Sequence, residues 1–166
     1  MECDESMGEK MILLAEDDWG QEKLFRHALA QSDFTCRLEV VHDGAELIDF
    51  LFATGQYKER DQREMPDLIL LDLKMPRMDG LQVLQVLRRV RGEGQFRFPP
   101  IVVLTCSESD QDVVDAYRWG AQSYIRKPGS LPEFTHAVRE TAQYWLGLNR
   151  PAPAGRLPSP CVHEDL

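Results

Sequence analysis

The chain has 166 residues, of which 43% are hydrophobic and 28% are charged, and its formal net charge is -9 at pH 7. This length and composition are typical of one globular domain with a substantial core. The acidic balance argues against a nucleic-acid-binding surface, and no apolar run approaches the roughly 18 residues that span a bilayer. The acidic start lacks the basic region of a signal peptide, so we expect a cytoplasmic protein with no nucleic-acid or membrane partner.

Short apolar runs alternate with segments of helical periodicity along the chain. The runs are too short for helices and predict strands, and the apolar residues that follow them at helical spacing predict helices. The predicted strands are 11–15, 35–41, 68–71, 101–104 and 123–126, and the predicted helices are 19–31, a helix capped by Asp43, 81–91, 110–119 and 131–146.

Strands and helices that alternate in this way predict a three-layer, doubly wound α/β fold. A single parallel five-stranded sheet is then covered by helices on both faces, and we predict the strand order 2-1-3-4-5. The domain is expected to span residues 9–148, with a flexible segment at 1–8 and a proline-rich tail at 149–166. The polar segment 54–65 is predicted to be an extended loop, with or without an extra helical turn, and it is either a solvated insertion or a partner contact.

Polar side chains follow four of the predicted strands at the points where those strands end. Glu16 and Asp17 follow the first strand, and Asp72, Thr105 and Lys127 follow the third, fourth and fifth. In sheets of this kind, ligands bind at the carboxyl ends of the strands, where the strand order reverses. Three carboxylates brought together there would repel one another and would need protonation or a cation. A hard divalent cation relieves that repulsion, and Mg²⁺ suits oxygen ligands.

A magnesium ion held in this way keeps coordination positions for phosphate oxygens. Asp72 would lie between the metal and Lys127, where its carboxylate can accept a phosphoryl group as an acyl phosphate. Lys127 would stabilise the charge of the transition state from the side opposite the metal, and the Thr105 hydroxyl would donate a hydrogen bond to a phosphoryl oxygen. The backbone carbonyl of Lys74 is a further candidate metal ligand.

The stretches LLAEDD, LILLDLKMPRMDG, IVVLTCS and SYIRKP resemble the receiver domain of two-component response regulators, the CheY-like family. The resemblance extends over the whole predicted domain and implies the flavodoxin-like fold of that family. It also implies that a partner sensor histidine kinase phosphorylates Asp72. Asp17 would then be a direct metal ligand, Glu16 would be a ligand through water, and Lys127 would bind the phosphoryl group.

The same resemblance implies a switch formed by Thr105 and Tyr124. Phosphorylation adds about -1.5 to -2 of charge, which would draw the Thr105 hydroxyl inward and let Tyr124 turn in. This movement would change the face formed by the fourth helix, the fifth strand and the fifth helix. A half-buried strand aromatic without a switch role is the alternative for Tyr124. The resemblance also implies a cis peptide bond before Pro128, and Asp18 is interpreted as an exposed residue after the acidic pair.

The chain ends about 20 residues after the last predicted helix, so we expect no effector domain and an output through protein contact. The 54–65 loop and the ending TAQYWLGL resemble the stand-alone receivers that pair with bacterial phytochrome-type photoreceptor kinases. Such proteins are often dimers. The apolar and aromatic surface of the last helix also predicts a homodimer through this helix and the fifth strand. The residues expected at that interface are Tyr117, Phe134, Val138, Tyr144 and Trp145.

Other functions agree with only part of this pattern. A phosphate sink or relay intermediate would use the same acceptor without an effector target. An aspartyl-phosphate phosphatase of the haloacid dehalogenase type needs a second aspartate where this chain has Lys74, so we expect no enzyme activity beyond autophosphorylation and autodephosphorylation. A dinucleotide site would need a glycine-rich motif after the first strand, and Glu16 and Asp17 would repel its pyrophosphate. A receiver that is never phosphorylated would not need the complete set of residues.

Overall fold

The computed structural model describes residues 9–33, 35–92 and 97–151. Within these ranges, five strands and five α-helices alternate along the chain. The strands are β1 (Lys10–Ala15), β2 (Cys36–Val41), β3 (Leu68–Leu71), β4 (Ile101–Thr105) and β5 (Ser123–Arg126). The helices are α1 (Trp19–Ala30), α2 (Gly44–Phe52), α3 (Gly80–Gly92), α4 (Asp110–Arg118) and α5 (Leu131–Ala142).

The strands form one parallel sheet in the order β2-β1-β3-β4-β5, which confirms the predicted order. Every residue of β3 and β4 is buried. Continuous apolar strands of this kind occur where helices cover both faces of a parallel sheet. Because the strand order reverses between β1 and β3, a crevice is expected beside the carboxyl ends of these two strands.

Two hydrophobic clusters lie on opposite faces of the sheet, because successive side chains of a strand point to opposite sides. Leu13 of β1 belongs to the cluster under α2, α3 and α4, and Leu14 belongs to the cluster under α1 and α5. In the second cluster, Phe25 of α1 meets Phe134 of α5 edge to face, with ring centroids 5.0 Å apart. Fully burying a side chain of this size contributes about 1.5–3 kcal/mol. These rings therefore pack α1 against α5 on one face of the sheet.

Two residues predicted at a dimer interface lie in this core instead. Phe134 and Val138 are only 3% and 1% exposed, so this part of the interface prediction is wrong. They lie four residues apart on the stripe of α5 that packs with α1 and the sheet. Apolar spacing alone does not reveal that α1 covers this stripe. The remaining predicted interface residues differ from them, because Tyr117 and Tyr144 are exposed and Trp145 is only partly buried.

The last helix and the peptide bond before Pro128 also depart from the predictions. The apolar spacing predicts a helix to about residue 146, whereas α5 ends at Ala142 and continues as a π-helical segment, Gln143–Leu148. The described residues contain no cis peptide bond, so the implied cis bond between Lys127 and Pro128 is absent. The trans isomer is favoured before proline by about 0.5–1 kcal/mol when no tertiary contact selects the cis form.

Two aspartates begin helices at the carboxyl edge of the sheet. Asp18 accepts a hydrogen bond from the amide of Gln21 at 2.8 Å, and Asp43 accepts one from the amide of Glu46 at 2.8 Å. Both bonds satisfy first-turn amides that have no partner within the helix. The predicted cap at Asp43 is confirmed. Asp18 is exposed, as predicted, and it also begins α1.

The segment 54–65 folds back against α2 and contains a short 3-10 turn at Gly55–Tyr57. The Tyr57 hydroxyl donates a hydrogen bond to Glu46 at 2.6 Å, and the Tyr57 ring meets the Phe50 ring edge to face at 5.1 Å. The Arg60 guanidinium lies 4.1 Å from the centre of the same Phe50 ring. The segment is therefore anchored to the domain by specific contacts.

The predicted flexible start at residues 1–8 and residues 152–166 of the predicted tail lie outside the described part of the chain. The division of the chain at residues 9 and 148 stays a prediction. None of the described helices has the length and apolar character that crossing a bilayer requires.

Candidate functional site

Three carboxylates meet where β1 and β3 end. Ala15 pairs with Leu71 in the sheet register, so Glu16 and Asp17 emerge beside Asp72. The three acids each offer an oxygen atom, and these atoms all lie within 4.8 Å of one another. Glu16 and Asp72 are 1% and 8% exposed, whereas Asp17 is exposed to solvent. The predicted convergence of the acidic residues is thus present, with one acid open to solvent and two enclosed.

The ammonium of Lys127 lies among the enclosed acids. Its Nζ is 2.6 Å from Glu16 Oε2 and 3.0 Å from Asp72 Oδ2. The Lys127 amide donates to the Thr105 carbonyl at 2.8 Å, which fixes the chain after β5 beside β4. Lys127 is predicted to act from the side of the site opposite the metal, and its hydrogen bond to Glu16 is not part of that prediction.

The protonation of this buried group follows from its neighbours. Burial opposes the charged form of Lys127, but the carboxylates of Asp72 and Glu16 outweigh that effect and raise the pKa of its ammonium above the ordinary value. Burial raises the pKa of the Glu16 carboxyl, and the hydrogen bond from Lys127 lowers it without cancelling the increase. The Asp72 carboxylate adds to the increase because like charges repel.

The donor set fits a divalent metal. One ammonium neutralises one of the three carboxylate charges, and the remaining negative charge suits a cation of charge two. All the donors are oxygen atoms, and the exposed side of Asp17 leaves access for water ligands, which Mg²⁺ usually retains. The Lys74 amide donates to Asp72 Oδ1 at 3.1 Å, which fixes this part of the loop beside the carboxylates. The metal role of the Lys74 carbonyl stays a prediction.

Thr105 lies at the carboxyl end of β4, and Tyr124 lies within the neighbouring β5, where it pairs with Val103. Thr105 is fully buried, and its hydroxyl oxygen accepts a long hydrogen bond of 3.4 Å from the Ser107 amide. Tyr124 packs against the cluster under α2, α3 and α4, and its hydroxyl is enclosed without a well-formed hydrogen bond in the described part of the chain. Burial raises the pKa of Tyr124, the nearby Ser107 hydroxyl lowers it less, and Asp112 and Asp72 raise it further. Tyr124 is therefore already turned inward.

Two glycines let the β3–α3 loop approach its neighbours closely. A Cβ atom on Gly80 would lie 2.4 Å from the Asp72 carbonyl oxygen, and one on Gly44 would lie 2.4 Å from the Met78 carbonyl oxygen. The Gly44 amide donates to that Met78 carbonyl at 3.0 Å. These two positions require glycine for space. The Asp-Gly pairs at 43–44 and 79–80 are typical of turns, but the close approach depends on tertiary packing that no local pattern contains.

An exposed aromatic side chain that the sequence analysis missed stands at the edge of the site. The Trp19 ring stacks on the His42 ring with centroids 4.7 Å apart. His42 Nε2 lies 3.1 Å from the buried carboxylate of Glu22. Trp19 and His42 are far apart in sequence and follow different strands, so helical periodicity could not relate them.

The sequence matches the response regulator receiver domain family over residues 12–139. The chain belongs to this family. Two relatives cover most of the receiver. The probable methanogenesis regulatory protein FilR2 of Methanothrix harundinacea is 39% identical over 145 residues, which are 87% of this chain and 89% of FilR2. Response regulator Rcp1 of Synechocystis sp. is 32% identical over 143 residues, which are 86% of this chain and 93% of Rcp1.

Three solved structures resemble the receiver. The phosphorylated cyanobacterial phytochrome response regulator RcpA has a TM-score of 0.76 at 31% identity, covering 86% of the receiver and 98% of RcpA. The Mn²⁺-bound form of Rcp1 has a TM-score of 0.75 at 31% identity, covering 86% of this chain and 99% of the Rcp1 chain. The bacteriophytochrome response regulator RtBRR has a TM-score of 0.66 at 39% identity, covering 88% of this chain and 86% of the RtBRR chain. The predicted CheY-like, flavodoxin-type fold is confirmed.

Family membership carries several general properties. Receiver domains are phosphoacceptors rather than enzymes with a separate substrate, they are phosphorylated by histidine kinases, and they bind a divalent metal. The acidic cluster of this receiver agrees with metal binding. The identity of the metal and the roles of the individual residues stay predictions.

Proposed function

We propose that this receiver accepts a phosphoryl group on Asp72 from a sensor histidine kinase in a Mg²⁺-dependent reaction and acts in two-component signal transduction. The observation that carries the proposal is the position of Asp72. Its carboxylate lies within 4.8 Å of the acids of Glu16 and Asp17, and one of its oxygens is 3.0 Å from the Lys127 ammonium. An acceptor oxygen flanked by a candidate cation site and a fixed ammonium suits the transfer of an anionic group.

In the transfer, an Asp72 oxygen forms a bond to phosphorus while the bond between phosphorus and the kinase histidine nitrogen breaks. The electron pair of the broken bond stays on the imidazole. Asp17 as a direct ligand, Glu16 through a water and the Lys74 carbonyl would hold Mg²⁺, and the bound ion would supply positive charge to the phosphoryl oxygens. The Lys127 ammonium donates to a phosphoryl oxygen and thereby exchanges part of its contact with Asp72.

Output is assigned to the face formed by α4, β5 and α5. The hydroxyl of Thr105 lies at the end of β4, where a phosphoryl oxygen on Asp72 can attract it. The enclosed hydroxyl of Tyr124 lacks a well-formed hydrogen bond among the described residues, so a small movement of the β4–α4 loop can change its environment. A coupling of about 1–3 kcal/mol would be enough to bias this face between two arrangements.

The proposed kinase is a bacterial phytochrome photoreceptor, and the proposed location is the cytoplasm. The phytochrome pairing is supported by the similarity to RcpA and RtBRR, which are described as phytochrome and bacteriophytochrome response regulators. A phosphotransfer assay against candidate kinases, with light as the variable, tests the pairing. Transfer that occurs only from kinases without a photoreceptor would contradict it.

We also propose a homodimer that uses the end of α5 and the segment after it. Tyr144 is 51% exposed and Leu148 is 69% exposed, and Trp145 lies edge to face with Tyr144 at 5.1 Å. Tyr117 adds an exposed ring on α4. Exposed apolar side chains that are grouped in this way are typical of interfaces. Sedimentation that shows only a monomer would argue against this part of the proposal.

The acceptor assignment is tested with Asp72→Asn and a small phosphodonor. Incubated with Mg²⁺ and acetyl phosphate, the native receiver should gain the mass of one phosphoryl group, and Asp72→Asn should gain none. Asp79→Asn is the matched control, because Asp79 lies in the same loop and accepts a hydrogen bond from the Gln82 amide at 2.9 Å. Labelling retained in Asp72→Asn on another residue would refute the assignment.

A further inference from the structure

An ion pair joins the loop that follows Asp72 to the first turn of α4. Lys74 Nζ lies 3.4 Å from Asp112 Oδ2, and the two side chains are 71% and 15% exposed. Lys74 comes two residues after Asp72, whereas Asp112 belongs to the proposed output face. Within the described ranges, this is the only ion pair between the β3–α3 loop and α4.

The acidic partner is held in place from two directions. The Ser107 hydroxyl donates a hydrogen bond to Asp112 Oδ2, and the Asp112 amide donates to Ser109 Oγ at 3.3 Å. A carboxylate in the first turn also benefits from the positive end of the helix dipole. Asp112 therefore has a defined position, and its side chain lies beside the β4–α4 loop that carries Ser107.

The basic partner is anchored only through its backbone. The Lys74 amide donates to Asp72 Oδ1 at 3.1 Å, and its mostly exposed side chain is a flexible four-carbon stem with a point charge at its end. Two anions can compete for that ammonium. One is the single charge of Asp112, and the other is a phosphoryl group on Asp72, which carries about -1.5 to -2 at neutral pH.

The helix at the far end of this ion pair is loosely held. Only Ala116 is buried among the nine residues of α4, whereas α1, α2, α3 and α5 each bury three or more. A segment with few buried apolar contacts opens at low free-energy cost. The loss of one ion pair at the beginning of α4 therefore has a larger proportional effect than it would have on the other helices.

We propose that Asp112 is a positioning residue that retains Lys74 on α4 in the unphosphorylated receiver, and that a phosphoryl group on Asp72 captures Lys74 and frees the first turn of α4. The ion pair thus links occupancy of the acceptor to the mobility of the output face. This inference rests on the proposed phosphoacceptor function of Asp72. It predicts that Asp112 weakens the binding of any phosphoryl group or analogue at Asp72.

The test uses beryllofluoride, a phosphoryl analogue, in the presence of Mg²⁺. Asp112→Asn keeps an oxygen that can accept the Ser107 hydrogen bond but removes the charge that holds Lys74. A partly exposed ion pair of this kind changes an equilibrium by about two- to fivefold. Asp112→Asn should therefore bind beryllofluoride about two- to fivefold more tightly than the native receiver. The matched control is Asp115→Asn, which removes the 3.6 Å pair with Arg118 on the same helix and should leave the affinity unchanged.

A double-mutant comparison separates the ion pair from a general effect of charge. Removing a negative charge near the site could favour an anion without any involvement of Lys74. In a Lys74→Met background, the proposal predicts that Asp112→Asn no longer changes the affinity for beryllofluoride. If Asp112→Asn still increases the affinity for beryllofluoride by the same factor in the Lys74→Met background, Asp112 acts only through the electrostatic repulsion of its carboxylate. That result would overturn the proposal.

Hydrogen exchange supplies a second readout on the full chain. Amides in the first turn of α4 should exchange faster in the native receiver when beryllofluoride is bound than when it is absent. Unliganded Asp112→Asn and Lys74→Met should show the same fast exchange as the native receiver with beryllofluoride bound. Native exchange rates that do not respond to beryllofluoride, in a receiver that binds it, would refute the inference and leave the acceptor function intact. A native receiver that binds no beryllofluoride with Mg²⁺ would refute the acceptor function and this inference together.

Discussion

Replacing Lys127 by methionine removes the ammonium from the acidic site while keeping a side chain of similar length. Glu16 and Asp72 would then face each other without their shared partner, at positions where both are almost fully buried. Oxygens of these two carboxylates lie within 4.8 Å of each other, and unit charges at that distance repel by about 3.5 kcal/mol at an effective dielectric constant near 20. Removing one member of a buried charge pair typically destabilises a protein by about 3–5 kcal/mol.

We therefore expect Lys127→Met to lose about 3 kcal/mol of unfolding free energy in the absence of divalent metal. Urea denaturation with a chelator measures this loss. Mg²⁺ should restore more stability to Lys127→Met than to the native receiver, because the metal then neutralises acids that have no ammonium beside them. Labelling by acetyl phosphate should fall, since the fixed charge that faces the phosphoryl group is gone.

A second lysine provides the control for this substitution. Lys10 pairs with Asp67 at 3.2 Å in a half-exposed setting, so Lys10→Met should cost no more than about 1 kcal/mol and should not change the response to Mg²⁺. The reasoning fails if Lys127→Met is as stable as the native receiver in chelator. It also fails if Lys127→Met no longer binds Mg²⁺, because Lys127 would then support the metal site rather than oppose it.

Two further substitutions test the packing of the loop and the response to acid. Gly80→Ala places a Cβ atom 2.4 Å from a backbone carbonyl of the acceptor residue and should cost at least about 1–3 kcal/mol in thermal unfolding, whereas Gly92→Ala, with open space around it, should be tolerated. Burial opposes ionisation of Glu22, but hydrogen bonds from His42 and Arg26 outweigh it and lower the pKa of the carboxyl below the ordinary 4.5. The ionised Glu22 carboxylate therefore stabilises the fold fully at pH values above 4.5. This stabilisation is lost as the pH falls through the lowered pKa that Glu22 has in the folded protein. Glu22→Gln should flatten the acid side of a plot of melting temperature against pH, and an unchanged slope would contradict this assignment.

Much of the fold could be predicted because its strands are short, apolar and nearly uninterrupted. Runs such as Leu68–Leu71 are too short for helices, and their alternation with helical segments leaves few arrangements other than one parallel sheet. The acidic site followed from the same reasoning, because the carboxyl ends of parallel strands lie at one edge. The sequence therefore predicts that residues 16, 17, 72 and 127 lie together, as they do in the structure.

The errors arose where tertiary contacts decide the outcome. Phe134 and Val138 have the spacing of an apolar helix face, and nothing in that spacing shows that α1 covers it. The bond from Lys127 to Glu16 and the pair between Lys74 and Asp112 join residues distant in sequence. Long-range polar partners of this kind depend on side-chain conformations within a finished fold, so local sequence patterns do not specify them.

The contacts of segment 54–65 limit which segments can be exchanged when chimeric receiver domains are made. Tyr57 and Arg60 enclose the Phe50 ring, and Tyr57 also satisfies the carboxylate of Glu46. A shorter connection transplanted from another receiver would uncover that ring and leave the acid without this donor. Chimeras should therefore transfer α2 and the following connection as one unit, because the two form a single structural module that tolerates recombination only at its outer ends.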